Sequence, residues 1–461
     1  MIKTSVAKAR EPWVSTANPC HQCRPLGAMV AFQGVEGCVP FLHGSQGCAT
    51  YMRRYLISHF REPVDIASSS VSEKEAVLGG GPSLRKGLRN VTEKYGASVV
   101  GVATTCLTET TGEDLGMLVR EWDKEVAERP LQVGNPEIVT VPCPSYDGSH
   151  IDGFHGANRA LVAHFAQACS PHGGLALFPN FVSPADLRHL REMVCAFGIP
   201  LTLVPDYADR LDGPALVESE PLPAGGTTMA DMRALPGCRV SVELGRTIPE
   251  KLSAATWLEQ EWKVPRRTLG LPIGIRETDA FMAILEELSG IETPEAWQAE
   301  RGRLIDACVD AHKYLAGRTA VVFGDEDMVA GIVSFLTEIG MKTTLVATGG
   351  KSGRLAPVIE RVTRTFLEEM PRVLEDSDFR DVEECAEARM ADLFIGHSKG
   401  YKLARRHDIP LVRVGFPLHD RFGGQRLLHV GWRGALDLLD TIVNAILEKR
   451  QDDSPVGYSY L

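Results

Sequence analysis

Short unbroken apolar runs alternate along the chain with stretches whose apolar positions recur every three to four residues. The unbroken runs predict strands over 98–106, 137–145, 174–180, 200–206, 238–244, 319–325, 343–350, 393–398 and 410–417. Runs that do not alternate with polar residues mark strands buried on both faces, hence parallel sheets covered by helices. The helical periodicity predicts helices over 151–170, 184–198, 276–290, 296–316, 327–340 and 434–449. Strand then helix, repeated, predicts a doubly wound α/β architecture. Ligands of such sheets sit beyond the carboxyl ends of the strands, so the strand tails TTC (104–106), CPS (143–145), FPN (178–180), VPD (204–206), GHS (396–398) and GFP (415–417) carry information.

Length and composition narrow the class. The chain has 461 residues, of which 44% are apolar and 24% charged. At about 150 residues per domain this suggests three domains with ample cores. Polar or Pro/Gly-rich joints fall near 171–174 and 213–226. The net charge of −11 comes with no basic block, which argues against a nucleic-acid partner. No apolar run approaches a membrane span and the N-terminus has no apolar signal region, so a cytoplasmic protein without a membrane partner is expected.

Eleven cysteines in such a chain do not read as a disulfide framework. Cys169, Cys195, Cys238, Cys308 and Cys385 lie in apolar or amphipathic stretches and are expected to be buried core thiols. Cys20, Cys23, Cys38, Cys48 and Cys106 sit among Gly, Pro, Ser and Thr, where loops are expected. Cys23, Cys48 and Cys106 are 25 and 58 residues apart, too wide for a zinc ribbon. Such spacing suits one thiolate from each of three loops on something larger than one ion, as iron–sulfur clusters require. The competing reading is three unrelated core thiols.

Other motifs carry less. Cys20-His21-Gln22-Cys23 is a CxxC without a second ligand pair, so Cys20 reads as a bystander. Gly349-Gly350-Lys351-Ser352 follows a strand, but Leu345 stands where a phosphate loop requires Gly, which argues against ATP binding. Asp306 and Asp310, four residues apart, share one helix face and either hold a hard cation or are simply solvated. His43, His59, His150 and His397 lack a nucleophile elbow, so a hydrolase is not indicated.

HGSQGC (43–48), RRYLISHFREPV (53–64) and ATTCLTETTGEDL (103–115) resemble the β-type subunits of the nitrogenase superfamily. The resemblance continues in order through CPSYDGSH (143–150), LPIGIRETDAF (271–281), ERGRLIDACVDAH (300–312), IGHSKGY (395–401) and VRVGFPLHDR (412–421). It implies three Rossmann-like α/β domains, placed here at 1–170 (N-terminal, cluster-binding), 171–315 (middle) and 316–461 (C-terminal). It also implies pairing with a homologous α-subunit in an α2β2 heterotetramer. An eight-iron, seven-sulfur P-cluster would lie at the αβ interface, with Cys23, Cys48 and Cys106 as thiolate ligands and Ser145 ligating on oxidation. Substrate would be reduced on the α-subunit, so no catalytic residue is expected in this chain. A separate homodimeric iron protein would hydrolyse ATP. A mononuclear metal site between two β-subunits would map to Glu62, with the carbonyl of Arg61, and to Asp306 and Asp310 of the other copy.

Three branches of the family compete. VPDYADRLDGP (204–214) and GGTTMADMRALPG (225–237) resemble the scaffold subunits that assist cofactor assembly. Scaffold subunits generally lack the first and third cysteines, which this chain keeps. The chain also lacks the long N-terminal extension of molybdenum β-subunits and the Trp-containing tail of vanadium and iron-only ones, ending VGYSYL. A scaffold-like body with a full thiol set favours a nitrogenase-like reductase such as methylthio-alkane reductase. The alternatives are a dinitrogenase β-subunit and a scaffold.

Overall fold

The computed structural model describes residues 20–215, 221–364 and 369–457. The N-terminal segment and most of the C-terminal tail read above lie outside the described residues, as does part of the 213–226 joint.

Three all-parallel sheets follow one another along the chain. The first contains β1 (Cys38–His43), β2 (Ala67–Ser68), β3 (Val99–Thr104) and β4 (Glu137–Val141) in the order β2-β1-β3-β4. The second contains β5 (Leu175–Phe178), β6 (Leu201–Leu203), β7 (Val240–Leu244) and β8 (Arg266–Leu269) in the order β6-β5-β7-β8. The third contains β9 (Thr319–Phe323), β10 (Lys342–Ala347), β11 (Arg372–Leu374), β12 (Leu393–Gly396) and β13 (Leu411–Arg413) in the order β11-β10-β9-β12-β13. In each sheet the strand order reverses once, the arrangement that opens a crevice at the carboxyl edge. The architecture is the α/β, mostly parallel class that the apolar runs predict. Strands β1, β3 and β7 are buried at every position, as two-sided helix cover requires.

Four strands were not legible. β1 contains Pro40 and begins at Cys38, a residue expected in a loop; Cys38 is instead fully buried. β2 and β11 are two and three residues long. β8 reads Arg-Arg-Thr-Leu and is an edge strand, where polar side chains face solvent. The N-terminal helices Arg24–Gln33, Gln46–Phe60, Gly81–Tyr95 and Leu115–Glu128 also escaped the periodicity reading. Arg24–Gln33 is buried almost all round, so it shows little amphipathic stripe.

Aromatic rings fill the place where the sheets meet. Phe416 stands 5.3 Å from Phe181, 5.7 Å from His150 and 4.8 Å from His59, ring centre to ring centre. Phe154 packs on Phe181 at 5.3 Å. One hydrophobic core runs through all three sheets. It ties the N-terminal loops rigidly to elements from the rest of the chain.

Candidate cluster-binding site

The parallel register places the ends of β1, β3 and β4 on one edge of the first sheet. β1 and β3 are the neighbours at which the strand order reverses. Past β1, Gly44 and Ser45 lead into the helix Gln46–Phe60, whose third residue is Cys48. Past β3, Thr105 caps the short helix Cys106–Thr110, so Cys106 is its first residue. Ser145 lies four residues beyond the end of β4. The segments after β1, β3 and β4 thus open at one edge, and Cys48 and Cys106, expected in loops, occupy first turns of helices.

Cys23 reaches the same place by another route. It is the N-cap of the helix Arg24–Gln33, with Pro25 in the first turn. The strap before it is held from three directions. Cys20 N–H donates to Ser377 O at 3.3 Å, and the His397 ring contacts Cys20 O at 3.2 Å. Lys399 Nζ donates to His21 O at 3.1 Å. Gln22 pairs with His150, accepting from its N–H at 3.0 Å and donating to its Nδ1 at 3.3 Å. The helix then packs on the helix His150–Phe165 through bare glycines. A β-carbon on Gly27 would stand 1.7 Å from His150 O, and one on Gly153 would stand 1.9 Å from Arg24 O. Only glycine permits backbones so close.

The Cys23 thiol hydrogen-bonds Ser145 and lies within electrostatic reach of Cys48, Cys106 and Lys399. Burial, more than any neighbour, pushes the Cys23 thiol up; the Ser145 bond opposes it. Ser45 Oγ donates to Cys48 Sγ at 3.4 Å. Cys23 and Cys106 are exposed and Cys48 is half-buried, so the trio faces outward. Tyr51 and Tyr146 flank it, 46% and 65% exposed. Among the described residues no group of three His, Cys, Asp or Glu side chains is close enough to hold a single metal ion. Three thiols and a hydroxyl facing one open crevice therefore suit a larger thiolate-ligated group completed from outside the chain.

A buried polar brace stands behind the thiols. His43, at the end of β1, is fully buried; its Nδ1 meets Ser69 Oγ at 2.9 Å and its Nε2 meets Glu113 Oε2 at 2.8 Å. Glu113 Oε1 accepts from Gly80 N–H at 3.0 Å. Thr108 Oγ1 donates to His43 O at 2.9 Å, tying the Cys106 turn to the Cys48 turn. Sequence reading noted His43 but found no role for it, because Glu113 lies 70 residues away. Lys399 was missed altogether: its only signal is a lysine in a strand tail, HSK, after β12.

The other candidates fall elsewhere. Cys20 is buried against the third sheet and its thiol is pushed up to about 12 by burial, in keeping with a bystander. Glu62 lies just past the helix Gln46–Phe60, near Asp212, Gly213 and Arg426; burial and Asp212 raise its carboxyl above the usual range. Asp306 and Asp310 are exposed on the helix Glu295–Leu315. Of the cysteines expected in the core, Cys238 and Cys385 are buried, but Cys169 and Cys195 are exposed and Cys308 is half-buried. Cys169 lies past the end of its helix and Cys195 is the last residue of its own, positions the periodicity does not resolve. The Gly349–Ser352 turn has its place for an anion taken by the protein: Ser352 N–H donates to Glu326 Oε1 at 3.1 Å. The Glu326 carboxyl fills the space and takes the backbone donor that a phosphate would need.

These features define a parallel α/β subunit that presents three thiols and a serine at an open edge. The chain belongs to the nitrogenase component 1 type oxidoreductase family, whose model matches residues 23–447. It is 35% identical to the nitrogenase molybdenum-iron protein beta chain of Clostridium pasteurianum, covering 94% of this chain and 93% of that one. It is 34% identical to the corresponding beta chain of Methanococcus maripaludis, with 94% of each chain covered. It is 32% identical to the nitrogenase vanadium-iron protein beta chain of Trichormus variabilis, with 93% of each covered. A solved structure titled nitrogenase Cp1 at pH 6.5 superposes with a TM-score of 0.93 at 33% identity, covering 98% of both chains. The chain is thus a beta-type subunit of a nitrogenase-type oxidoreductase. No helix among the described residues is long and apolar enough to cross a membrane.

Proposed function

We propose that this chain is the electron-relay β-subunit of a nitrogenase-like reductase. In this reading it holds a P-cluster with Cys23, Cys48, Cys106 and Ser145 at its interface with a homologous α-subunit. The observation that carries the reading is the gathering of Cys23, Cys48, Cys106 and Ser145 at one outward-facing crevice. When bound, the cluster supplies one-electron storage and transfer. The chain's own part is to fix three thiolates on rigid helix starts and to screen them from water with Tyr51, Tyr146 and the α-subunit. Ser145 Oγ, hydrogen-bonded to Cys23, must lose its proton to bind iron, which links electron removal to proton release. An ATP-hydrolysing iron protein delivers the electrons, in keeping with a Gly349–Ser352 turn closed by Glu326. Two αβ pairs form the heterotetramer, with the domains of this chain divided near 170 and 315.

For the substrate we propose a small thioether, as in methylthio-alkane reductase, on the pairing of a scaffold-like middle with a complete thiol set. Reduction of dinitrogen is the second reading, favoured by the molybdenum-iron and vanadium-iron beta chains among the relatives. The αβ complex, purified without oxygen, should contain iron and absorb as an iron–sulfur protein. Replacing Cys48 with Ala should remove or degrade that absorption; unchanged iron would sink the assignment. Turnover with iron protein and ATP, on a thioether and on dinitrogen, separates the two readings, and turnover of neither points to a scaffold.

A further inference from the structure

Lys399 is an unusual neighbour for the Cys23 thiol. It sits in the turn after β12, two residues past His397, and its side chain is half-buried. Its Nζ donates to His21 O at 3.1 Å, two residues before Cys23. Burial draws its ammonium down to about 8, and the Cys20 and Cys23 sulfurs act against that fall. The next residue is held as tightly, since a β-carbon on Gly400 would stand 2.2 Å from the Phe323 ring. The turn is therefore packed directly against the Phe323 ring at the end of β9. β12 stands next to β9, where the third sheet reverses its strand order, so the lysine comes from that sheet's own crevice. The third sheet thus delivers one positive charge to a site built from the first.

We propose that Lys399 is a positioning residue for the thiolate-bound cluster: it clamps the strap that carries Cys23 and sets the cluster's reduction potential with its charge. The inference rests on the cluster reading above. A thiolate-ligated cluster gains negative charge when reduced. A nearby ammonium, poorly screened because it is half withdrawn from solvent, stabilises the reduced form more than the oxidised one. Removing the charge should make the cluster harder to reduce.

Two substitutions separate the charge from the clamp. Lys399→Gln keeps a donor for His21 O and removes the charge; Lys399→Arg keeps both. Each variant is made in the αβ complex, and its cluster is followed by iron analysis and by a potentiometric titration read by paramagnetic resonance. The expected result is a midpoint shifted to more negative potential in Lys399→Gln and near wild type in Lys399→Arg. Loss of iron in Lys399→Gln alone would also support the role, since the charge is then needed to retain the cluster. Equal potentials in Lys399→Gln and wild type, or equal shifts or equal losses in both variants, would overturn it. A wild-type complex without cluster iron would instead overturn the function proposed above, so the two failures are distinguishable.

Discussion

His43 Nε2 lies 2.8 Å from Glu113 Oε2, and both side chains are almost wholly removed from solvent. The pair braces the two turns that carry Cys48 and Cys106, because Thr108 reaches the His43 carbonyl from one side and Gly80 is anchored on Glu113 from the other. Replacing Glu113 with Ala leaves His43 Nε2 and the buried Gly80 N–H without partners. The expected loss is about 1–3 kcal/mol of folding stability. Glu113→Gln, which can still accept from Gly80, should recover much of it. Urea unfolding of the two variants measures the difference, and an unchanged Glu113→Ala midpoint would show that the brace is dispensable.

The contact between the helices Arg24–Gln33 and His150–Phe165 has a sharper steric demand. Gly27→Ala puts a methyl 1.7 Å from His150 O, a backbone atom that cannot step aside. We expect a loss of about 1–3 kcal/mol or more from the forced separation. Gly302→Ala is the control. Gly302 lies on the helix Glu295–Leu315, has nothing within 4 Å of an added β-carbon, and should gain about 0.5–1 kcal/mol of helix propensity. Denaturation of the separate chain tests both, and opposite signs are the expected outcome.

How much of this was legible beforehand depended on the range of the forces involved. Two-sided burial leaves its mark in consecutive residues, so β3, β5, β7, β9 and β12 could be read from the chain. β1 could not, since Pro40 interrupts the apolar pattern and the strand declares itself only when paired between β2 and β3. The thiols Cys23, Cys48 and Cys106 stood out through their small neighbours, and Ser145 through the family resemblance. Their arrangement did not, because Cys23 arrives by packing of Gly27 on His150 and of Gly153 on Arg24, and by bonds with Ser377, His397 and Lys399, more than 350 residues away. Long-range polar partners leave no periodic trace, which is why His43–Glu113 and Lys399 went unread.

Stability should depend on pH through buried imidazoles opposed by buried carboxyls. Burial draws His59 down to about 3, and His155 and His397 to about 4, from an ordinary 6.5. Each favours the neutral folded form, so its contribution is complete above 6.5 and is lost as pH falls toward the folded value. Burial raises Glu326 and Glu243 to about 7 from 4.5. Their contribution is complete below 4.5 and is lost as pH rises through 7. Among these five groups three imidazoles outweigh two carboxyls, so their joint contribution should climb from pH 4.5 to 6.5 and then decline slightly. Each uncompensated proton gives a slope of about 1.4 kcal/mol per pH unit. Glu326→Gln should steepen the climb and weaken the decline. Urea midpoints at half-unit pH steps read this directly, and a climb no steeper than wild type would count against a raised Glu326.

Ser145 is bonded to Cys23 yet offers only a neutral hydroxyl until its proton leaves. Ser145→Ala should therefore leave the reduced cluster and its iron content nearly intact while changing the spectrum of the oxidised state. It should also remove one proton from the pH dependence of the oxidation potential. Identical oxidised spectra in variant and wild type would count against ligation by Ser145.

Asp306 and Asp310 present two carboxylates on an exposed face of the helix Glu295–Leu315, about one helical turn apart. Like charges at that spacing repel, and a hard cation between them would remove the repulsion. Within one chain they have too few partners, since no cluster of three metal-binding side chains exists among the described residues. A second copy can complete the set with Glu62, whose carboxyl already faces Asp212 and Arg426 at a partly buried edge. The double variant Asp306→Asn, Asp310→Asn should then lose one non-cluster metal ion per site from the assembled heterotetramer, with cluster iron unchanged. Elemental analysis of matched wild-type and variant complexes decides it: the same metal content in both would mean that these aspartates are only a solvated helix face.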